Sequence, residues 1–154
     1  FRMHTDSLLP RRFLAGLTLW SVVAISSGCT QAPSVVPVTG QVVYNGEPLP
    51  FGIVMFQPEQ GQAAQGEIQP DGTFQLSTYG PNDGAVPGHH KVSVRCFSTQ
   101  KAGADGGDAG APGRLLIPQQ YTRFGMSGLS ADVKPGSTEP IVLELKGPPL
   151  PKGL

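Results

Sequence analysis

The stretch that decides the fold runs from Gln69 to Phe97: Gln-Pro-Asp-Gly-Thr-Phe-Gln-Leu-Ser-Thr-Tyr-Gly-Pro-Asn-Asp-Gly-Ala-Val-Pro-Gly-His-His-Lys-Val-Ser-Val-Arg-Cys-Phe. Pro70-Asp71-Gly72 is a tight-turn signal, and it leads into Phe74 and Leu76 alternating with Gln75 and Ser77. After a Gly/Pro-rich corner the alternation resumes, with His90, Val92, Val94 and Cys96 on one parity and His89, Lys91, Ser93 and Arg95 on the other. Two period-two runs bounded by turn residues read as half-buried β-strands.

Working outward, the same grammar repeats. Val38 to Tyr44 is a strand candidate closed by Asn45-Gly46, a pair that tolerates positive φ. Glu47-Pro48-Leu49-Pro50 reads as a connection, because proline cannot donate to a ladder. Gly52 to Gln57 is apolar on both parities, as expected of a strand covered on both faces or packed under a loop. Gln65 to Ile68, Phe74 to Thr78, Gly88 to Phe97, Leu129 to Val133 and the Ile141-Leu143-Leu145 run complete the set. The expectation is all-β: a seven-strand antiparallel sandwich, prealbumin- or immunoglobulin-like, over residues 38–146, with no helix in the mature chain. Residues 98–113, rich in Gly, Ala and Asp, read as a flexible insertion loop, and 147–154 as a Pro/Gly tail.

Composition agrees. The 154 residues include 21 Gly and 16 Pro, a level that suits a turn-rich β domain, while 38% are hydrophobic and fall in alternating clusters. Net charge is zero, so neither a basic nucleic-acid footprint nor an acidic tail is present. The first 28 residues carry Arg2, Arg11 and Arg12 against Asp6, which leaves 8 basic and 10 acidic side chains beyond them.

That asymmetry marks an export signal over residues 1–28. Arg11-Arg12 precedes an uncharged apolar run of 13 residues, Phe13 to Ile25, which is short of the about 20 needed to span a bilayer. Ser27-Gly28-Cys29 then resembles the lipobox of bacterial lipoproteins, although Ser26 stands where that family usually has Leu. The resemblance implies cleavage before Cys29, a diacylglyceryl group on its thiol and usually acylation of its new amino group. Two or three acyl chains, at about 0.8 kcal/mol per buried CH₂, anchor durably. Thr30, rather than Asp, points away from inner-membrane retention under that family's sorting rule. Residues 29–37 become a tether, and the expected location is the cell envelope, at the outer membrane or periplasmic face. The alternative is an ordinary cleaved signal followed by an incidental Cys. With Cys29 lipidated, Cys96 is a lone thiol expected to be buried and inert.

The order of turns carries a further resemblance. Val38-Thr39-Gly40-Gln41-Val42, Asn45-Gly46-Glu47-Pro48-Leu49, Pro70-Asp71-Gly72-Thr73-Phe74 and Pro87-Gly88-His89-His90-Lys91-Val92 resemble carboxypeptidase regulatory-like, or transthyretin-like, domains. The likeness is closest to small exported lipoproteins of planctomycete type, where a Gly-Ala-Val-Pro-Gly corner, an Ile-Pro-x-x-Tyr segment and Ser-Gly-Leu recur. Here these are Gly84 to Gly88, Ile117 to Tyr121 and Ser127 to Leu129. The resemblance implies a fold and a location, no zinc catalytic machinery, and a packing role for His90.

The chemistry-bearing residues make no catalytic set. His89 and His90 point to opposite faces and cannot share one ion without a bulge. Asp71, Asn82 and Asp83 offer oxygens for Ca²⁺, but turn contexts account for them, and Asp105 and Asp108 are isolated. No Gly-x-Ser-x-Gly elbow and no phosphate loop is present. Trp20 leaves with the signal, so Tyr44, Tyr79, Tyr121 and Phe124 are read as core or corner packing. The expectation is a non-enzymatic envelope module without cofactor or metal, its membrane contact made through Cys29. Its role is structural or protein-interacting. The alternative is a small-ligand or glycan-binding domain using loops 80–86 and 98–113.

Overall fold

In the computed structural model the residues described are 34–100 and 113–152. Eight strands follow in order: β1 Thr39–Tyr44, β2 Glu47–Pro48, β3 Gly52–Pro58, β4 Ala64–Ile68, β5 Thr73–Gln75, β6 Gly88–Arg95, β7 Leu129–Val133 and β8 Ile141–Leu145. Two 3₁₀ turns, Ser98–Gln100 and Gln119–Thr122, are the helical elements among the described residues. The strands form two four-stranded sheets.

One sheet runs β4-β3-β6-β7, antiparallel throughout, with Val54 opposite Val94 and Val92 opposite Leu129. The double-sided apolar run is thus an interior strand: Val54 and Phe56 are fully buried, while Ile53 and Met55 are half-buried on the other face. The second sheet is organised on β1. Gly40 pairs with Phe74 of β5 along one edge and with Ile141 of β8 along the other. Val42, Tyr44, Phe74, Leu143 and Leu145 from this sheet pack with Val54, Phe56, Val92, Val94 and Cys96 from the first. The Phe56 and Phe74 ring centroids lie 5.9 Å apart across that core.

Three details depart from the sequence expectation. The strand count is eight, because Glu47–Pro48 pairs with Val43–Tyr44 through a turn in which Asn45 and Gly46 both have positive φ. β2 occupies the edge of its sheet, where a proline's missing N–H leaves no interior ladder broken. The sandwich is not wholly antiparallel, since β8 runs parallel to β1 from Gly40–Ile141 to Tyr44–Leu145. The chain reaches that edge after crossing from β7 in the other sheet, so no hairpin constrains the direction of β8. Finally, Ser93 is fully buried despite its outward parity, on an interior strand against which the turn Gln119–Thr122 also packs.

The flanks of the predicted 38–146 core are engaged as well. Val36, at the end of the tether segment, exchanges backbone hydrogen bonds of 2.9 and 3.0 Å with Ala85. In the C-terminal tail, Pro148 O accepts from the Tyr44 hydroxyl at 2.7 Å, and Gly147 makes a reciprocal pair with the Asn45 amide at 2.9 and 3.0 Å. No helix among the described residues is long and apolar enough to cross a membrane.

Candidate binding groove

The polar residues singled out in the sequence resolve first into local structure. Asp71 accepts from Thr73 N at 3.0 Å and from Thr73 Oγ1 at 2.6 Å, and the hydroxyl bond foremost holds its carboxyl below the ordinary range. Asp83 accepts from the backbone N–H groups of Thr78, Tyr79 and Gly80 at 2.6, 2.9 and 2.8 Å. Its carboxyl is likewise held down, by the Thr78 N–H above all. A carboxylate engaged by three backbone donors is a corner clamp, with little capacity left for a cation.

The two histidines separate as parity requires. His90 is fully buried, its Nε2 2.7 Å from Val86 O and its ring 5.9 Å from that of Phe56. A carbonyl only accepts, so Nε2 carries the proton, and Nδ1 has no partner among the described residues. His89 is half-exposed on β6, with Nδ1 2.8 Å from Asp132 Oδ1 on the opposing position of β7. Cys96 is fully buried, and burial pushes its thiol up to about 12. Among the described residues no three His, Cys, Asp or Glu side chains gather as metal ligands would. Cys29, Asp105 and Asp108 lie outside the described residues.

What the fold assembles instead is a groove of about 760 Å³ where the two sheets are joined. The joint is the bridge between Gln65 and Ser77, whose backbones exchange hydrogen bonds of 2.9 and 2.8 Å. Around it the lining is rich in side-chain amides: Gln65, Gln69, Gln75, Asn82 and Gln100, joined by Thr73, Ser77, Glu67 and Ile53. Gln65 and Gln75 occupy exposed alternate positions of β4 and β5. Gln100 comes from the first 3₁₀ turn, where its Oε1 accepts Phe97 N at 2.7 Å. A second depression of about 390 Å³ shares Gln65 and Ser77 and carries Tyr79, which is 50% exposed.

Asn82 of the 80–86 loop and Gln100, from the described start of the 98–113 segment, therefore reach one surface, while residues 101–112 of that segment lie outside the described residues. The glutamines of β4, β5 and the turn between them were missed from sequence, where an outward-facing Gln on a strand is indistinguishable from ordinary solvated surface. Tyr79, read as packing, is one of the large exposed side chains. No family model, curated protein or solved structure matches this chain.

Proposed function

We propose that this chain is a non-enzymatic recognition module of the cell envelope, lipid-anchored through Cys29 and presenting the amide-lined groove outward from a prealbumin- or immunoglobulin-like sandwich. The basic-apolar-small pattern ending at Gly28-Cys29 supports the export and anchoring steps. The ordered turns at Asn45-Gly46, Pro70-Asp71-Gly72 and Pro87-Gly88 support membership among carboxypeptidase regulatory-like lipoproteins. Against catalysis stand the partners of the polar side chains: Asp71 and Asp83 serve backbone donors, and His90 serves Val86.

The observation that carries the recognition role is the meeting of Asn82 and Gln100 on one groove. It favours ligand binding over a purely structural module, because a structural spacer needs no concave surface fed by two separate loops. Anchoring is tested by metabolic labelling with an alkyne fatty acid in a lipoprotein-processing bacterium. The expected outcome is a labelled, membrane-associated chain, with label and association both lost in Cys29→Ser. An unlabelled wild-type chain would overturn the anchor.

A further inference from the structure

We infer that the groove at the Gln65–Ser77 joint takes a neutral glycan segment, an assignment that rests on the ligand-binding role proposed above. The chemistry of the lining narrows the ligand class by elimination. Among the described residues lining the groove none is Lys, Arg or His, and Glu67 is the one ionisable group among them, so phosphate, sulfate and nucleic acid find no counter-charge there. Strand addition by a peptide needs an unpaired backbone edge. Here the backbones of Gln65 and Ser77 already satisfy each other, which interrupts the open edge of β4 within the groove. A lipid tail needs a continuous apolar channel, whereas this lining sets five side-chain amides and two hydroxyls beside Ile53 and Phe74.

What remains is side-chain amide and hydroxyl chemistry. Each Gln or Asn offers a carbonyl acceptor beside an NH₂ donor, and a vicinal diol answers that pairing with one donating and one accepting hydroxyl. Gln65 and Gln75 make no side-chain hydrogen bond with the described residues, so both ends of each amide are available. Tyr79 supplies the second element. Its backbone N–H is fixed by Asp83, and its ring stands half-exposed beside the shared Gln65–Ser77 wall. An aromatic face is electron-rich and receives the slightly positive C–H face of a pyranose. The two depressions, which share Gln65 and Ser77, thus present amides along one part and a ring at the other, as successive sugar units require.

The test uses the full chain and a panel of neutral hexasaccharides (cellohexaose, xylohexaose, mannohexaose and maltohexaose), read by calorimetry and by backbone NMR shifts. At least one is expected to bind with a dissociation constant on the order of ~10 µM to 1 mM, shifting Gln65, Gln75 and Asn82 amide resonances. Gln65→Ala, Gln75→Ala and Tyr79→Ala are each expected to weaken it about tenfold without moving the unfolding temperature, the effect of one lost neutral hydrogen bond or stacking contact. Glu139→Ala, away from the groove, is expected to leave binding unchanged. Absence of binding by the whole panel overturns the glycan assignment, as does binding that survives Gln65→Ala and Gln75→Ala together. Binding that survives the double substitution removes the groove assignment and leaves the ligand-binding role standing, whereas a panel without binding, with no Gln65, Gln75 or Asn82 resonance moved, removes the glycan and leaves that role without its ligand class.

Discussion

At the scale of single residues, the corner of this domain is set by carboxylates that serve the backbone. Asp83 gathers the N–H groups of Thr78, Tyr79 and Gly80, and the Thr78 hydroxyl closes the same loop on Gly84 O at 2.6 Å. Asp71 does the equivalent at the preceding turn. Both carboxyls are held below their ordinary value of 3.8 in the folded chain. Groups depressed in this way contribute stability that is fully present above the unfolded value and is lost as pH falls through the folded one. Thermal unfolding followed against pH is therefore expected to fall on the acid side of 3.8. Asp83→Asn is expected to lower stability at neutral pH, since an amide cannot accept all three bonds, and to flatten the acid-side loss. An unchanged acid slope in that variant would place the titration elsewhere. Cys96 behaves in the opposite sense: with its thiol raised to about 12 by burial it stays protonated, the inert state expected of a cysteine on the Val92–Val94 parity.

At the scale of elements, β1 organises its sheet because residue 40 is glycine. A Cβ there would run into the Phe74 ring on the β5 side and the Ile141 carbonyl on the β8 side. Neither can retreat: Phe74 is core, and the carbonyl belongs to the parallel β1–β8 ladder. Gly40→Ala is expected to destabilise the domain by about 1–3 kcal/mol, the usual cost of overpacking, read as a lower denaturant midpoint with an unchanged slope. A midpoint equal to wild type would mean that β8 is free to shift. The elements with long alternation, β1, β3 and β6, were legible in sequence because period-two burial leaves its mark on every second residue. β2 was not, since Pro48 masks a two-residue pairing that Asn45-Gly46 alone specifies. The parallel β1–β8 pair was invisible for a different reason: direction between distant strands is decided by the route of the chain, and no local residue encodes it. The groove was half-legible in the same way. Its loop residues stood out as turns, whereas Gln65 and Gln75 acquire meaning only once β4 and β5 meet.

At the scale of the whole molecule, the sheets share one core, are stitched at the Gln65–Ser77 corner, and are sealed by the segments that flank the strands. Val36 pairs with Ala85 of the Gly-rich corner. The C-terminal segment, tail-like in composition, closes the β1–β2 turn: Gly147 and the Asn45 amide bond reciprocally, Pro148 O accepts from the Tyr44 hydroxyl, and Leu150 packs against the core. Tyr121 reaches the same region, its hydroxyl donating to Lys146 O at 3.2 Å and accepting from Lys146 N at 3.0 Å. Ending the chain after Lys146 would remove the first three hydrogen bonds and the Leu150 contact while sparing every strand. The expected cost is about 1–3 kcal/mol from lost bonds and apolar burial, a fall in melting temperature of roughly 5–15 °C. Tyr44→Phe separates the contributions, because it keeps the buried ring and deletes the bond to Pro148. Its loss is expected to be about 1 kcal/mol, well short of the truncation. If the truncated chain melts with wild type, the segment after Lys146 is a true tail, and the seal on the Asn45 turn lies in β8 alone.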